Sequence, residues 1–530
     1  MHQDSANAIR DRVRNLIGDI GEGIYEREET AAVALLSVLS GQSVFMYGPP
    51  GTAKSLIARR ISCAFTDTEY FEHLMQRFST PEDVFGPVSI SELRQDRYAR
   101  KTELYLPSAD IAFLDEIWKS SPAILNTLLT IVNERKFRNG GVLEDVPLKA
   151  LIAASNEFPP VGSGLEALYD RFIVRLKVSP VRDRANFERM VSTSRAADSV
   201  VSAHAFSTAE WKDMMTAAEL VSVPTAVFDI VDRIKTAIDG YNGKMAPADR
   251  IYVSDRRWQK AFSVIRNAAY LDGRDEVAPA DLLLLCHCLW SKECEIEITE
   301  KMVIAAVSET AMADRGASDS WKASFAEFER EVRGAMFHKR TVYESVPIGG
   351  AECIRCAGTV KDFYDQWDLT LYIPACRMYS GDPDPGIPFD DNGNPAKGFS
   401  FRVVSGPAED PERMKVEIRK TYNDSGFDTE PVIKHRAGDV KEITERETRT
   451  FAAAAGRLMD EISGMIADAE SRVVSLSAAS GSIFTSGVKR EAMLSAADCH
   501  IAGLRDDRAR VDNIIDMVKA RGNLRSTRGA

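Results

Sequence analysis

Residues 43–55 read SVFMYGPPGTAKS, an apolar strand that runs into a glycine- and proline-rich turn and then into a helix. Such a loop points backbone N–H groups and the positive end of the helix at one place, which suits a phosphate group. Lys54 would neutralise the β- and γ-phosphates of ATP, and Ser55 would offer its hydroxyl to Mg²⁺. We therefore predict a nucleotide-binding loop that comprises Gly48, Pro49, Pro50, Gly51, Thr52, Ala53, Lys54 and Ser55. The alternative is an ordinary turn that Lys-Ser follows by chance.

Ala53 departs from the usual phosphate-loop pattern, which has a second glycine at this position. We expect the methyl group to be tolerated on a backbone with negative φ, because Gly51 supplies flexibility one turn earlier. The backbone conformation of Ala53 tests this interpretation.

An acidic pair ends the next apolar strand, where open α/β sheets place their ligands. Residues 111–116 read IAFLDE, so Asp115 and Glu116 follow four apolar residues. The first carboxylate would hold the metal ion and the second would polarise the attacking water. Asn156 ends the following predicted strand and would orient that water or contact the γ-phosphate. The alternatives are a solvated strand end for the acids and a turn-capping role for Asn156.

Two arginines far from the loop are candidate charge donors. Arg171 follows Asp170 after a short helix, and we expect it to serve a neighbouring subunit's nucleotide, where its charge lowers the barrier to phosphoryl transfer. Arg256 begins a helix in VSDRRW and would reach the γ-phosphate from a second domain, with Arg257 as its alternative. A simple surface position is the alternative for Arg171.

The element pattern predicts an α/β fold with a mostly parallel sheet and helices on both faces. Two stretches, 88–108 and 134–151, look like inserted β-hairpins, and Asn-Gly in the second is a strong turn signal. An all-helical lid and a helical tail interrupted by a small β domain follow. The expected domains are the nucleotide-binding core at 1–200, the lid at 201–315, the helical tail unit at 316–340 and 436–525, and an inserted, β-rich, partner-binding domain at 341–435.

The composition of the chain disfavours some classes of function. The chain of 530 residues has a net charge of -12 and a pI of about 5.3, so it lacks the basic field that binds nucleic acid. No long apolar run predicts a membrane span, and eight scattered cysteines suit reduced thiols. We therefore expect a cytoplasmic protein that acts on other proteins and binds no nucleic acid.

The order GPPGTAKS, FLDE, ASN, DRF and SDRR resembles the AAA+ family, and the two insertions resemble its MoxR branch. The segments FLDEIWKSSPAILNTLLTIVNERKFRNGG, IAASNEFPP and YVSDRRW are similar to the regulatory ATPase variant A subfamily. The resemblance spans residues 1–315 and is only architectural beyond.

This resemblance implies a Mg²⁺-dependent ATPase that forms a homo-hexamer, with ATP between subunits and Arg171 acting in trans. It also implies a chaperone-like role in remodelling or maturing protein complexes, together with a von Willebrand factor A domain partner. In the regulatory ATPase variant A subfamily, the β domain recruits a partner enzyme, an inducible lysine decarboxylase. Residues 341–435 show no motif that matches that domain.

Three functions fit these predictions. The first is an ATP-driven remodeller of protein complexes, supported by the set of candidate catalytic residues. The second is a nucleotide-gated scaffold with slow hydrolysis that regulates a partner enzyme. The third is a DNA-acting motor, which the acidic composition disfavours.

Overall fold

The structure is a computed structural model of the chain. It describes residues 3–66, 68–160, 162, 164–192, 203–311, 315–361, 366–381, 384–405, 413–422, 425–440, 443–479 and 481–523. The chain divides into two compact units, of which the first comprises 1–317 with 463–506 and the second comprises 318–462 with 507–530.

A five-stranded parallel sheet lies at the centre of the first unit, as the sequence predicts. The strands of this unit are β1 (Ser43–Tyr47), β2 (Tyr70–Leu74), β3 (Ile111–Asp115), β4 (Lys136–Asn139), β5 (Val142–Asp145), β6 (Ala150–Ser155) and β7 (Phe172–Lys177). The sheet order is β2-β3-β6-β1-β7, and every pairing in it is parallel. The carboxyl ends of all five strands therefore meet at one edge of the sheet.

Helices cover both faces of this sheet. They are α1 (Gln3–Gly21), α2 (Glu28–Leu39), α3 (Lys54–Ser62), α4 (Pro81–Phe85), α5 (Ile90–Leu93), α6 (Pro122–Glu134), α7 (Glu166–Tyr169) and α8 (Arg184–Ser192). Because successive strand residues point to opposite faces, Val44 and Ile152 join one apolar cluster while Phe45 and Leu151 join the other. The site at the strand ends therefore rests on a rigid, doubly covered sheet.

The second insertion is the predicted hairpin. Strands β4 and β5 pair from Lys136 to Asp145, and Gly140 with Gly141 connects them. Gly140 has φ +60, and a Cβ atom there would lie 1.7 Å from the carbonyl oxygen of Tyr98. Glycine is therefore required both by the turn and by the close approach of the first insertion.

The first insertion differs from the expected hairpin, so that prediction is wrong. Residues 88–108 hold the one-turn helix α5, and only Val88 and Arg100 form an isolated bridge. Beyond this bridge, the backbone of Arg100 pairs with the side chain of Asn139, which accepts from its N–H at 2.7 Å and donates to its carbonyl oxygen at 3.1 Å. The two insertions are thus joined to each other.

The lid is helical, with α9 (Thr208–Glu219), α10 (Thr225–Asn242), α11 (Asp255–Leu271) and α12 (Ile296–Ser308). The stretch Pro279–His287 of the lid is a 3₁₀ helix. Ser254 caps α11 by accepting a hydrogen bond from the backbone N–H of Arg257. This cap fixes where Arg256 and Arg257 emerge from the helix.

The second unit contains α13 (Arg315–Met336) and small antiparallel sheets. The remaining strands and the short helix are β8 (Phe337–Tyr343), β9 (Ser345–Ile348), β10 (Ala351–Lys361), β11 (Gln366–Pro374), α14 (Ala375–Ser380), β12 (Phe399–Ser405), β13 (Met414–Lys420), β14 (Gly426–Thr429) and β15 (Ile433–Val440). The sheets have the orders β11-β10-β9, β12-β13-β14 and β15-β8. The first two share a core in which Ile354, Leu371, Phe401 and Val416 are buried.

Two long helices, α15 (Glu445–Ala479) and α16 (Gly487–Asn523), complete the chain. In the second unit, Trp321 of α13 donates from Nε1 to the carbonyl oxygen of Leu458 at 3.0 Å. In the first unit, Lys489 Nζ lies 2.7 Å from Glu29 Oε1 and 3.0 Å from His287 Nε2, which ties α16 to the core and the lid. The limits expected for the four domains stay predictions. Among the described helices, none has the length and apolarity that a bilayer crossing requires.

Candidate functional site

The phosphate loop follows β1 at the carboxyl edge of the sheet. Gly48 N donates to the carbonyl oxygen of Ser155 at 3.1 Å, which anchors the loop to β6. A Cβ atom on Gly48 would lie 2.1 Å from the carbonyl oxygen of Val178, so only glycine fits. Lys54 begins α3 and is 7% exposed, with Nζ 2.8 Å from the carbonyl oxygens of Gly48 and Pro49. The ammonium group is therefore held over the loop by backbone acceptors.

Ala53 adopts a left-handed conformation, with φ 67 and ψ 21, at the N-cap of α3. The expectation of a negative φ is therefore wrong. The chain must adopt this conformation to enter α3, whichever residue type stands at position 53. A residue with a Cβ atom pays roughly 1–2 kcal/mol for this backbone region, so the loop carries strain.

The acidic pair occupies the end of β3. Asp115 Oδ1 accepts from the backbone N–H of Glu116 at 3.0 Å. Glu116 is also left-handed, with φ 53, and its Oε2 lies 3.3 Å from Lys119 Nζ without hydrogen-bond geometry. Strained backbone at both Ala53 and Glu116 is typical of positions where geometry serves function.

Burial perturbs the charged groups of this edge. It lowers the pKa of Lys54, against the opposing charges of Asp115 and Glu116. Burial also raises the pKa of Asp115, and the charge of Glu116 adds to that rise. An acidic pair and a buried ammonium group in mutual electrostatic contact form a polar site suited to a multivalent anion and its metal ion.

Strand register brings Asn156 to the same edge. Ser155 pairs with Tyr47, so Asn156 follows β6 where Gly48 follows β1. Leu114 of β3 pairs with Ala153 of β6, which sets the acidic pair one strand away. Asn156 is exposed there. The structure thus brings together the loop, the acids and this asparagine, as the sequence predicts.

The residues present fit ATP and Mg²⁺. Ser55 and Asp115 offer oxygen donors, the kind of ligand that Mg²⁺ takes. Lys54 and the N-terminus of α3 offer the positive charge that a triphosphate needs.

Arg171 and Arg256 lie elsewhere, at the amino edge of the sheet. They line a cavity of about 530 Å³ with Ser43, which begins β1, and with Ile173 of β7. Three further lining residues, Arg135, Lys149 and Lys260, are basic. The charge of Arg256, after burial, lowers the pKa of Arg171. The structure therefore places Arg256 beside Arg171, away from the phosphate loop of the same chain.

Arg257, the alternative to Arg256, has a different environment. It is 3% exposed, and its Nη2 lies 2.7 Å from Asp170 Oδ1. Its Nη1 donates to Ser291 Oγ at 3.1 Å. Arg257 is thus an internal link between core and lid, and Arg256 is the exposed member of the two.

A second link, which the sequence did not predict, joins the lid to β7. Arg175 is fully buried and donates to the carbonyl oxygens of Phe172 at 3.1 Å and Tyr169 at 2.9 Å, and to Ser291 Oγ at 2.9 Å. Burial lowers the pKa of Arg175 to about 10. The sequence feature that could have indicated this link is the lone arginine within the apolar strand FIVRLK.

A further link reaches the residue before the phosphate loop. Tyr47 Oη donates to Glu293 Oε2 at 2.9 Å, and Lys177 Nζ lies 2.9 Å from Glu293 Oε1. The ring of Tyr47 stacks on Phe158 with centroids 4.3 Å apart. Tyr47 therefore contacts the lid and the loop after Asn156 at once.

Two family models match the chain. Residues 11–216 match the MoxR domain in the MoxR-vWA-beta-propeller ternary systems, and residues 226–303 match an AAA lid domain.

Relatives of known sequence share most of their own length with this chain. An uncharacterised protein of Methanocaldococcus jannaschii is 37% identical over 296 residues, 56% of this chain and 74% of the relative. A second from the same organism is 33% identical over 341 residues, 64% of this chain and 84% of the relative. A solved structure from Cytophaga hutchinsonii, described as a candidate ATPase, has a TM-score of 0.45 and 17% identity over 57% of this chain and 96% of its own. The chain belongs to the MoxR family of AAA+ ATPases.

Proposed function

We propose that the chain hydrolyses ATP as one subunit of a ring in which each nucleotide is completed by the neighbouring subunit. One observation carries this proposal: the phosphate loop and the arginine cavity lie at opposite edges of one sheet. Strand β1, Ser43–Tyr47, separates them by roughly 15 Å at about 3.3 Å per residue. Arg171 therefore has no use for the phosphates of its own chain.

The position of each candidate residue suggests its role in ATP hydrolysis. Lys54 binds the β- and γ-phosphates, Glu116 polarises the attacking water and Asn156 orients it. Ser55 and Asp115 would hold Mg²⁺, which supplies charge compensation to the phosphate oxygens. Arg171 of the adjacent subunit adds positive charge as negative charge develops on the transferred group.

Subunit mixing tests the trans arrangement. Lys54→Ala removes the nucleotide ligand and Arg171→Ala removes the donated charge, so each variant alone should have lost most ATPase activity. Mixed assemblies contain interfaces that join an intact phosphate loop from the Arg171→Ala subunit to an intact Arg171 from the other. We expect activity to return on mixing. No return, in assemblies shown by mass to be mixed, would refute the proposal.

Glu116→Gln separates turnover from binding. Removing the base should reduce hydrolysis by about 10²–10⁴-fold while ATP binding persists. Lys119→Gln, which removes only the neighbouring ammonium group, is the matched control. Undiminished hydrolysis in Glu116→Gln would exclude the assigned role.

We further propose that the ring is a hexamer, chaperone-like, and works in the cytoplasm with a von Willebrand factor A domain protein. Support comes from the matching family model, which is described from MoxR-vWA systems. The regulatory ATPase variant A resemblance suggests that residues 341–435 bind a partner enzyme. ATP-loaded Glu116→Gln rings, with and without residues 341–435, should retain a purified partner differently if this domain recruits it. Equal retention by both would exclude that role.

A further inference from the structure

The core and the lid share an ion pair next to the arginine cavity, between the buried Arg257 and the half-buried Asp170. Besides the 2.7 Å contact, Arg257 Nε lies 3.2 Å from Asp170 Oδ1. Ser254 Oγ donates to Asp170 Oδ2 at 2.7 Å. Both carboxylate oxygens and all the guanidinium nitrogens of the pair therefore face partners, since Nη1 contacts Ser291. Such a pair has one strongly preferred geometry.

Each residue of this ion pair has a chain neighbour that lines the cavity. Arg171 follows Asp170 in the core, and Arg256 precedes Arg257 in the lid. Lys260 lies four residues after Arg256, on the same face of α11, and lines the cavity too. Like charges from two subdomains repel each other, so their proximity depends on a neighbouring attraction.

Arg171 has additional supports within the core. Its Nε donates to Asn133 Oδ1, and its Nη1 donates to the carbonyl oxygen of Ala167. Arg256 and Lys260 have no ion-pair partner within the described part of the chain. The cavity therefore presents cationic groups from two subdomains with no carboxylate of its own among its lining residues.

We propose that Asp170 and Arg257 are positioning residues that set Arg171 of the core and Arg256 of the lid side by side, as a joint receptor for one anionic group, the γ-phosphate held by an adjacent copy. This inference rests on the proposed function. In this arrangement, Arg256 of the lid contacts the γ-phosphate held by the neighbouring subunit. The Asp170–Arg257 ion pair couples the orientation of Arg256 to that of Arg171. Ser291 contacts Arg257, and Glu293 two residues later contacts Tyr47, so the lid segment also reaches the residue before its own phosphate loop.

Mixed assemblies test the inference separately from the proposed function. The baseline mixes an arginine donor, Lys54→Ala, with a phosphate acceptor, Arg171→Ala. Adding Asp170→Asn to the donor should reduce the recovered ATPase rate about tenfold or more, because an amide no longer fixes the guanidinium pair. Adding Asp170→Asn to the acceptor should change little, since its own Arg171 is already absent.

Each outcome decides one question. Failure of the baseline mixture refutes the proposed function. A working baseline with full activity in the donor carrying Asp170→Asn refutes the positioning role. Equal loss in donor and acceptor refutes it as well, because the effect would then be structural.

Arg257→Lys in the donor provides a milder variant that keeps the charge. It should reduce the recovered rate less than Asp170→Asn, and combining the two should add little further loss, because both changes break one interaction. Additive losses would overturn the assignment.

Discussion

Replacing Ala53 by glycine should stabilise the protein, although glycine in a loop normally has the opposite effect. The left-handed backbone of Ala53 costs roughly 1–2 kcal/mol for a residue with a Cβ atom. Glycine relieves that cost but adds freedom to the unfolded chain worth about 0.4–1 kcal/mol. The difference predicts that Ala53→Gly raises the free energy of unfolding by about 0.5–1 kcal/mol.

Urea unfolding without nucleotide measures this change, with the ATPase rate recorded in parallel. Ala502→Gly is the matched control, because Ala502 is an exposed residue within α16 and glycine should lower stability there by about 0.5–1 kcal/mol. The two substitutions should therefore shift the midpoint in opposite directions. A loss in Ala53→Gly as large as that in Ala502→Gly would show that Ala53 carries no strain.

Three further changes test the connections of the first unit. Arg175→Met should lower the free energy of unfolding by about 3 kcal/mol, measured by denaturation, because the carbonyl oxygens of Phe172, Tyr169 and Trp290 lose their buried donor. Gly140→Ala should accelerate amide hydrogen exchange in both insertions and leave β1 unchanged, since its Cβ atom would collide with the Tyr98 carbonyl. Burial alone would raise the pKa of the Glu29 carboxyl group, but its interactions with His287 and Lys489 hold that pKa well below 4.5. The ionised carboxylate therefore stabilises the folded protein above pH 4.5, and this stabilisation is lost as the pH falls below 4.5. Lys489→Met should therefore destabilise the protein at pH 7, and its difference from the unsubstituted chain should shrink as the pH falls through 4.5; a constant difference would contradict this.

Local chemistry made the phosphate-loop edge predictable from sequence. Each of its parts ends a short apolar strand, and parallel strands bring their carboxyl ends together whatever the order of the sheet. That is why Lys54, Asp115 and Asn156 were found without any knowledge of strand pairing. The conformation of Ala53 was not predictable in the same way, because the loop geometry overrides what alanine prefers.

Contacts between residues that are distant in the chain could not be predicted from the sequence. The first insertion has strand-like residues, yet the backbone N–H and carbonyl oxygen of Arg100 pair with the Asn139 side chain and not with a partner strand. Arg256 and Arg257 are adjacent and chemically identical, so only the position of Asp170 decides which of them is buried. The contact of Lys489 with Glu29 joins residues 460 positions apart, and no periodicity reports it.

Under the proposed trans arrangement, the opposite placement of the phosphate loop and the arginine cavity gives each subunit a direction. A subunit that receives charge at one edge and donates it at the other cannot satisfy both edges in a two-fold symmetric dimer, because that symmetry pairs like surface with like. Only head-to-tail contacts match the edges, and these either close into a ring or continue as an open spiral. In a closed ring no terminal subunit is left with an incomplete site, so closure itself would determine how many subunits can turn over ATP.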